Sequence, residues 1–314
     1  MAVFDYTITR ITYNDEEDQG AQVSGDRVAW GTDHYPNYEL DEVFTWTPAD
    51  GIVQLTSNSH RENNAEVSGD RVVWWGAPAG VGEIFTWTPS GGIVQITTSS
   101  TNDAEPQVSG DRVVWTRYGG SDLEICTWTP TGGIVQITNN RGVDKRMPRV
   151  SGDRIVWYTE SVSLPDREVF TWTPAGGTVQ LTSGGSDYRD PDVSGNRVVW
   201  SGWGGLDGIF TWTSAGGTVR ITKDAAHNGY PRVSGNRVVW INGMGADQEV
   251  YTVVFVGPTV SGISPDNGPT AGGTTVTITG TDFCEVTEVM FGDTPATSFT
   301  VDSFSQITAV SPAH

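Results

Sequence analysis

The eight residues VSGDRVVW, at positions 67–74, return in nearly the same form five more times along the chain. The other copies begin at Val23, Val108, Val150, Val193 and Val233. Successive copies are therefore 44, 41, 42, 43 and 40 residues apart. A period of this length indicates one supersecondary unit that is stacked several times, so the repeat decides the fold.

Each repeat reads as four short β-strands separated by turn residues. In the third repeat the four runs are PQVSG, DRVVWTR, EICTWTP and GGIVQIT. Gly-Asp or Gly-Asn supplies the positive φ of a tight hairpin between the first two runs, and Thr-Pro-x-Gly-Gly does similar work between the last two. Runs such as RVVW and IFTW are apolar on both faces, which predicts sheets packed between neighbouring sheets.

Four-stranded sheets with this period predict an all-β, six-bladed β-propeller over residues 1–257. The sixth repeat has a third strand at 249–255, but no GGIVQIT run follows it. TITRIT at 7–12 matches the GTVQLT run at 177–182. We therefore expect the N-terminal strand to complete the sixth blade and close the ring, which would remove an exposed sheet edge.

The repeat motifs PxVSG[DN]RVVW, [IV]FTW and VQ[IL]T resemble the blade pattern of TolB-like β-propellers. The resemblance covers roughly the first 256 residues. It implies the architecture and leaves the activity open, because propellers of this kind include partner-binding platforms, lyases and peptidase gates.

Residues 258–314 form a second domain of different composition, with six acidic residues and neither Lys nor Arg. Their pattern, P-x-V-x-x-I-x-P-x-x-G-P-x-x-G-G-T-x-V-T-I-x-G-x-x-F followed by V-x-F-G and I-x-A-x-x-P, resembles the IPT/TIG immunoglobulin-like family. The resemblance implies an Ig-like β-sandwich that serves as a spacer or binding domain, often in tandem on cell surfaces.

Members of that family usually continue with further strands after I-x-A-x-x-P, so this sandwich is expected to lack its last strands. Its apolar residues would then have no cover, namely Val276, Ile278, Val289, Phe291 and Ile307. Residues beyond 314, the propeller, or a strand from a neighbouring subunit could fill the edge. The last alternative would allow self-assembly through the TIG edge.

The net charge and the N-terminal sequence indicate which classes of partner and which cellular location to expect. A net charge of −20 argues against a nucleic-acid partner, which requires a basic patch. No apolar run is long enough for membrane insertion. MAVFDYTITRIT lacks the features of a signal peptide, so either the protein is cytoplasmic or a signal has been removed. We expect an extracellular or cell-surface protein.

Tryptophan separates predicted packing positions from exposed ones. Eleven of the 13 occupy two repeat registers and are expected to pack in the core: Trp30, Trp74, Trp115, Trp157, Trp200 and Trp240 in the second strands, and Trp46, Trp87, Trp128, Trp172 and Trp212 in the third. Cys126 stands where sister repeats have Phe, which predicts a buried free thiol.

The loops between second and third strands, and the links between repeats, vary in length and sequence and should share one face. Its aromatic residues are the predicted ligand-binding candidates: Tyr35, Tyr38, Trp75, Tyr118, Tyr158, Tyr188, Trp203 and Tyr230. The residue before each VSG is expected at the channel mouth: Gln22, Glu66, Gln107, Arg149, Asp192 and Arg232. The ligand would be a protein or a carbohydrate; drift in unconstrained loops is the alternative.

No motif for nucleophilic, metal-dependent or phosphate chemistry appears in the sequence. Recurrent Glu42, Glu83, Glu124, Glu168 and Glu249 suggest structural roles, because an active site is normally asymmetric. No catalytic residue, metal or other cofactor is expected, although Ca²⁺ at the acidic run NDEED (14–18) stays open. The sequence favours a non-enzymatic binding or adhesion protein; a subunit of a filament or surface array and a carbohydrate-active lyase or hydrolase are the alternatives.

Overall fold

A computed structural model of the protein describes residues 8–34, 41–161, 167–184, 186–205, 207–222, 227–243, 247–255, 258–281, 283, 286, 288–303 and 305–313. The chain divides into two compact units: residues 1–164 with 172–178, and residues 165–171 with 179–314. In the described part of the chain, no helix is long and apolar enough to cross a membrane.

Each of the first three repeats forms one four-stranded antiparallel sheet whose strands follow chain order. The first sheet contains β1 (Glu17–Ser24), β2 (Arg27–Asp33), β3 (Val43–Thr47) and β4 (Gly51–Gln54). The second contains β5 (Glu62–Ser68), β6 (Arg71–Gly76), β7 (Glu83–Thr88) and β8 (Gly92–Gln95). The third contains β9 (Asp103–Ser109), β10 (Arg112–Tyr118), β11 (Leu123–Thr129) and β12 (Gly133–Gln136).

The later repeats keep the same order. The fourth sheet contains β13 (Val143–Ser151), β14 (Arg154–Ser161), β15 (Arg167–Thr173) and β16 (Gly177–Gln180). The fifth contains β17 (Asp187–Ser194), β18 (Arg197–Trp203), β19 (Gly208–Thr213) and β20 (Gly217–Arg220). The sixth contains β21 (Asn228–Ser234), β22 (Arg237–Asn242) and β23 (Glu249–Val254). These sheets are the propeller blades that the repeat predicted.

Apolar layers lie between successive sheets. Between the first two sheets the buried residues are Ala29, Val43, Leu55, Ala65, Val72 and Trp74. Between the next two they are Val73, Ile84, Ile96, Val113, Trp115 and Cys126. Val72 and Val73 thus face opposite neighbours, as the pattern RVVW predicted. In the second unit, Val199, Ile209, Val238 and Trp240 form the equivalent layer.

The second-strand tryptophans are the largest buried side chains of the blades, and Trp74, Trp115, Trp157 and Trp200 are at most 1% exposed. Trp74 stacks on Phe85 with 5.8 Å between ring centroids. Cys126 takes the place of that phenylalanine opposite Trp115. It is buried and free, as predicted, and burial raises the pKa of its thiol to about 12.

The VSG[DN]R segment joins one sheet to the next, which explains its recurrence. The serine hydroxyl accepts a hydrogen bond from the glycine N–H of the following repeat, at 2.9 Å in Gly69 to Ser24, Gly110 to Ser68, Gly152 to Ser109 and Gly235 to Ser194. In every copy the glycine lies at a φ of 55–58°, as the hairpin turn requires.

The arginine and aspartate of the same segment form a second link, which we call the arginine clasp. Its three pairs are Arg27–Asp70 at 3.1 Å, Arg71–Asp111 at 2.6 Å and Arg112–Asp153 at 2.6 Å. Each guanidinium also lies over a third-strand indole of the following repeat, namely Trp87, Trp128 and Trp172. The half-buried third-strand tryptophans therefore pack under these arginines.

The sixth sheet has three strands in the part of the chain that the structure describes. Residues 8–13 are not in a strand, and Val250 of β23 is 74% exposed. Completion of the sixth blade by residues 7–12 therefore stays a prediction of the sequence.

Residues 258–314 form a sandwich-like module in the second unit. Its main sheet has the order β24 (Thr259–Ser264), β25 (Thr275–Thr281), β29 (Gln306–Val310) and β28 (Ser298–Ser303). A short hairpin joins β26 (Met290–Phe291) to β27 (Thr294–Pro295).

The expectation that five apolar residues of this module lack cover is wrong. Val276, Ile278, Val289 and Ile307 are buried, and Phe291 packs against them. Phe283 and the hairpin residues close over the main sheet and supply the missing cover. The edge strands of this sheet are β24 and β28, and Val260 and Ile263 on β24 are exposed.

Candidate functional site

A β-bulge interrupts the first strand of every repeat, three residues before the valine of VSG. The strand pairing shifts there in all six sheets. The bulge residues lie in the left-handed region, with φ of 65° at Gly20, 54° at Asn64, 56° at Glu105, 51° at Met147, 54° at Asp190 and 54° at Tyr230. This conformation costs a residue other than Gly roughly 1–2 kcal/mol.

Proline favours this irregularity in four of the six repeats, whereas Ala21 and Ala65 stand at the same position in the first two. Pro106 and Pro148 follow the bulge residues Glu105 and Met147, and both are buried. A proline cannot donate to the strand ladder, so within a sheet it is confined to edges and bulges. The backbone of the bulge is similar in all six repeats, with or without proline, while the side chain at its left-handed position differs in each.

In the first unit, the bulged strands β1, β5, β9 and β13 contact one another in succession. Three of the predicted channel-mouth residues meet there. Gln107 Nε2 donates to Glu66 Oε1 at 3.0 Å, and Arg149 Nη1 donates to Gln107 Oε1 at 2.8 Å. We call Glu66, Gln107 and Arg149 the polar row.

Burial raises the pKa of Glu66 above its usual range, while the hydrogen bond from Gln107 and the charge of Arg149 oppose the shift. Such a carboxyl favours a cationic or hydrogen-bonding neighbour, because either would stabilise its charged form. The polar row therefore combines an acceptor at one end with a cationic donor at the other.

The polar row lies in a cleft of about 260 Å³. The bulge residues Asn64, Glu105 and Met147 also line it, and none of its described lining residues is aromatic. A second cleft, of about 190 Å³, adjoins it at Asn64 and Glu66 and continues to Gln22 and Gly20. We call the two together the bulge cleft.

The two remaining channel-mouth candidates lie in the second unit and make different contacts. Asp192 Oδ2 accepts a hydrogen bond from Val233 N at 2.9 Å. Arg232 Nη1 donates to the carbonyl of Pro231 at 2.8 Å. Each of these two bonds has a backbone group as its partner.

The predicted aromatic candidates that the structure describes differ in their exposure. Tyr118 is 51% exposed and Tyr230 is 61% exposed. Trp75, Tyr158 and Trp203 are half-buried. Tyr35 and Tyr38 lie outside the described residues.

Trp75 lies under the guanidinium of Arg61, and Trp203 stacks on His227 with 5.2 Å between centroids. Tyr188 corrects the sequence expectation, because it is only 6% exposed and meets Phe210 edge-on.

Part of this difference arises because the links between repeats are not wholly loops. Their second halves extend the first strands to residues such as Glu62, Asp187 and Asn228. Tyr188 lies on β17 and Tyr230 on β21, rather than in connections. The bulge breaks the period-two pattern, so these strand halves resemble loops in the sequence.

The recurrent third-strand glutamates make structural bonds. The threonine hydroxyls of Thr97, Thr138 and Thr182 donate to Glu83, Glu124 and Glu168, respectively. Glu42 accepts from Asn58 N at 2.9 Å. Asp18, in the acidic run considered for Ca²⁺, accepts from the indole of Trp30 at 2.9 Å. Among the described residues, no group of three or more His, Cys, Asp or Glu could hold a metal ion.

The histidines make local contacts with carboxylates. His60 Nε2 lies 3.0 Å from Glu62 Oε1, and His34 Nδ1 lies 3.5 Å from Asp41 Oδ1. Burial raises the pKa of Glu62 to about 7 and lowers that of His60. Glu62 Oε1 also accepts a hydrogen bond from Asn58 Nδ2 at 2.8 Å, at the start of β5.

Sequence reasoning missed Asn64, Glu105 and Met147, the bulge residues of the cleft. A usable signal was present, because Pro106 and Pro148 stand inside runs that otherwise read as strands. The three residues that the polar row brings together were found from their place beside the repeated VSG.

Comparison with known proteins supports the architecture of both parts. Residues 258–314 match the model of the IPT/TIG domain. A search of curated proteins found none that matches this sequence. The β-propeller domain of the Trilobed protease from Pyrococcus furiosus aligns with a TM-score of 0.57 and 11% identity, over 93% of this chain and 97% of that chain.

Two enzymes contain similar folds. A prolyl endopeptidase aligns with a TM-score of 0.56 and 12% identity, over 85% of this chain and 45% of that one. An oligogalacturonate lyase, solved in complex with manganese, aligns with a TM-score of 0.55 and 12% identity, over 79% of this chain and 80% of that one. At such identities the likeness shows the fold alone. The chain therefore combines propeller repeats with a TIG domain, an architecture that suits protein interaction.

Proposed function

We propose that this protein is a non-enzymatic binding or adhesion protein that works outside the cell or on its surface. The bulge cleft would hold a polar ligand, and the TIG module would serve as a spacer or a second interaction domain. The location is proposed from the TIG resemblance, since such modules are often found on cell surfaces.

The observation that carries the proposal is the contrast within the cleft between a fixed backbone and varied side chains. Every first strand has the same bulge, yet the six bulge residues are all different. Loops and clefts on a rigid scaffold are where binding residues concentrate. The polar row adds hydrogen-bonding groups of both kinds at the same place.

Binding is favoured over catalysis because the recurrent carboxylates already have structural partners. Glu83, Glu124 and Glu168 accept threonine hydroxyls. Glu66, the acidic member of the polar row, is held by Gln107 rather than by a histidine or a second carboxyl. A paired acid and base with separated pKa values is the usual sign of acid–base catalysis, and the neighbouring His60 and Glu62, whose pKa values are shifted, do not line the bulge cleft.

A second candidate function is that of a subunit in a filament or surface array. It is favoured by the exposed apolar residues Val260 and Ile263 on β24, which is an edge of the TIG sheet. An edge strand has unpaired backbone groups that another chain can extend. Concentration-dependent assemblies that disappear on Val260→Lys would support this function.

Arrays of glycans and peptides test the proposed binding. The labelled full chain should bind a subset of ligands, and Gln107→Ala should weaken that binding because it breaks both bonds of the polar row. Gln136→Ala on the exposed strand β12 is the matched control and should leave binding unchanged. Release of products from polysaccharides or peptides, instead of stable binding, would overturn the proposal in favour of an enzyme.

A further inference from the structure

The bulge residues keep a strained conformation although a relaxed choice exists. Gly20 occupies the same position in the first repeat without steric cost, whereas Asn64, Glu105 and Met147 adopt left-handed φ values. Strain that persists at a recurring position is a reason to look for a role of the side chain itself. All three side chains are exposed, so none of them fills the core, although Glu105 Oε2 accepts a hydrogen bond from Thr116 Oγ1 at 3.3 Å.

We propose that the bulge cleft binds a short, extended basic segment of a protein ligand, and that Asn64, Glu105 and Met147 determine its specificity. This inference rests on the proposed function, because it names the ligand class of the same cleft.

The size of the cleft favours an extended chain. Its volume of about 260 Å³ is smaller than the roughly 300–1,000 Å³ of drug-sized ligand sites. It continues into the neighbouring cleft at Asn64 and Glu66. Side chains of a strand-like peptide could occupy the two in succession, whereas the absence of a lining aromatic ring in the first cleft disfavours sugar stacking.

The charges favour a basic ligand. Glu105 is exposed at the bulge of β9, and Glu66 on the preceding first strand, β5, lines the same cleft. The chain carries a net charge of −20, which would draw a cationic partner toward the surface. Burial raises the pKa of Glu66, which means that its carboxylate form is destabilised. A lysine or arginine of the ligand beside it would stabilise that form.

The remaining groups suit the rest of a peptide. Met147 is 42% exposed, and its flexible thioether can contact apolar side chains of varied shape. The guanidinium of Arg149 has several N–H donors. One of them binds Gln107, and another could donate to a main-chain carbonyl of the ligand.

Calorimetry with two defined peptides tests the ligand class. The probes are the acetylated, amidated peptides Gly-Lys-Leu-Gly-Lys-Leu-Gly and Gly-Glu-Leu-Gly-Glu-Leu-Gly, each titrated into the full chain at about 0.1 M salt. The lysine peptide should bind about tenfold more tightly than the glutamate peptide, since charge-assisted hydrogen bonds to the carboxyls depend on the sign of the charge. Equal affinities would overturn the inference.

Glycine variants test the role of the strained residues. Glu105→Gly and Met147→Gly should each raise Tm by about 2 °C, because the backbone strain is relieved. Each should also weaken binding of the lysine peptide by about fivefold. Ala79→Gly, at a φ of 56° outside the bulge cleft, is the matched control, with a similar relief of strain and no change in affinity. A fall in Tm for Glu105→Gly and Met147→Gly would show structural roles and overturn the inference.

The two levels of the proposal can fail separately. If neither peptide binds but array ligands are still lost on Gln107→Ala, the basic-peptide inference is wrong and the proposed function stands. If no array ligand binds at all, the proposed function fails and the inference fails with it.

Discussion

Two neighbouring segments of each first strand differ in what the repeats allow to vary. At the VSG turn the sequence hardly changes, and the same bond from glycine N–H to serine recurs between sheets. Three residues earlier the backbone is equally constant, but the bulge side chain is different in every repeat. The turn therefore joins neighbouring blades, whereas the bulge keeps the same backbone conformation whatever its side chain is.

The largest expected effect comes from replacing a tryptophan that packs between the sheets. A half-buried tryptophan at the end of a second strand provides the contrast. Trp115→Ala in the second strand should lower the free energy of unfolding by about 3–5 kcal/mol, because it leaves a cavity in a fully buried layer. Trp203→Ala should cost about 1–2 kcal/mol, since its half-buried ring loses the stacking on His227, the contact with Arg189 and a long hydrogen bond to Ser201. Chemical denaturation measures both, and equal losses would contradict the assignment of the core.

The next effect is the pH dependence contributed by Glu62, at the start of β5. Its pKa is raised from 4.5 to about 7 in the folded protein. The unfolded chain therefore releases this proton first, and stability is lost as pH rises from 4.5 through 7. The loss should be on the order of 2–3 kcal/mol.

Glu62→Gln should remove this contribution to the pH dependence of the free energy of unfolding. Denaturation at about pH 5 and about pH 8 gives the change in the free energy of unfolding for the variant and for the wild type. Because both proteins contain His60, the difference between the two changes largely cancels the contribution of His60. A variant whose slope equals that of the wild type would show that Glu62 is ionised in the folded state.

The smallest effect concerns the arginine clasp. Arg71→Ala should lower the free energy of unfolding by about 1–2 kcal/mol, because it removes the bond to Asp111 and the contact with Trp128. Asp111→Asn, which reproduces the Gly-Asn turn of the last two repeats, should cost less than about 1 kcal/mol. Chemical denaturation distinguishes them, and a loss for Asp111→Asn as large as that for Arg71→Ala would mean that the stacking on Trp128 contributes little.

Much of the fold could be predicted because the repeat displays each constraint several times. The turns at Gly69 and its sister glycines, the two-faced burial of Val72 and Val73, and the substitution of Cys126 for phenylalanine all follow from comparing copies. The TIG core could not be predicted, since Phe283 and the β26–β27 hairpin pack over Val276 from parts of the sequence without a regular pattern.

The candidate site was predicted only in part for a related reason. The residue immediately before each VSG has a fixed place in the repeat. The positions of Glu66, Gln107 and Arg149 could therefore be predicted from the sequence. Asn64, Glu105 and Met147 stand at an irregularity, and a bulge shifts every side chain before it relative to the period-two pattern. Tyr188 was misplaced by the same shift.

The claim that the bulges, rather than the exposed loops, contact the ligand can be tested most directly by hydroxyl-radical footprinting. Met147 lies on a bulge and Tyr118 near the loop after β10, and their exposed fractions are similar at 42% and 51%. With saturating lysine peptide or array ligand, the account predicts that oxidation of Met147 falls while that of Tyr118 is unchanged. Protection of Tyr118 with no change at Met147 would contradict it.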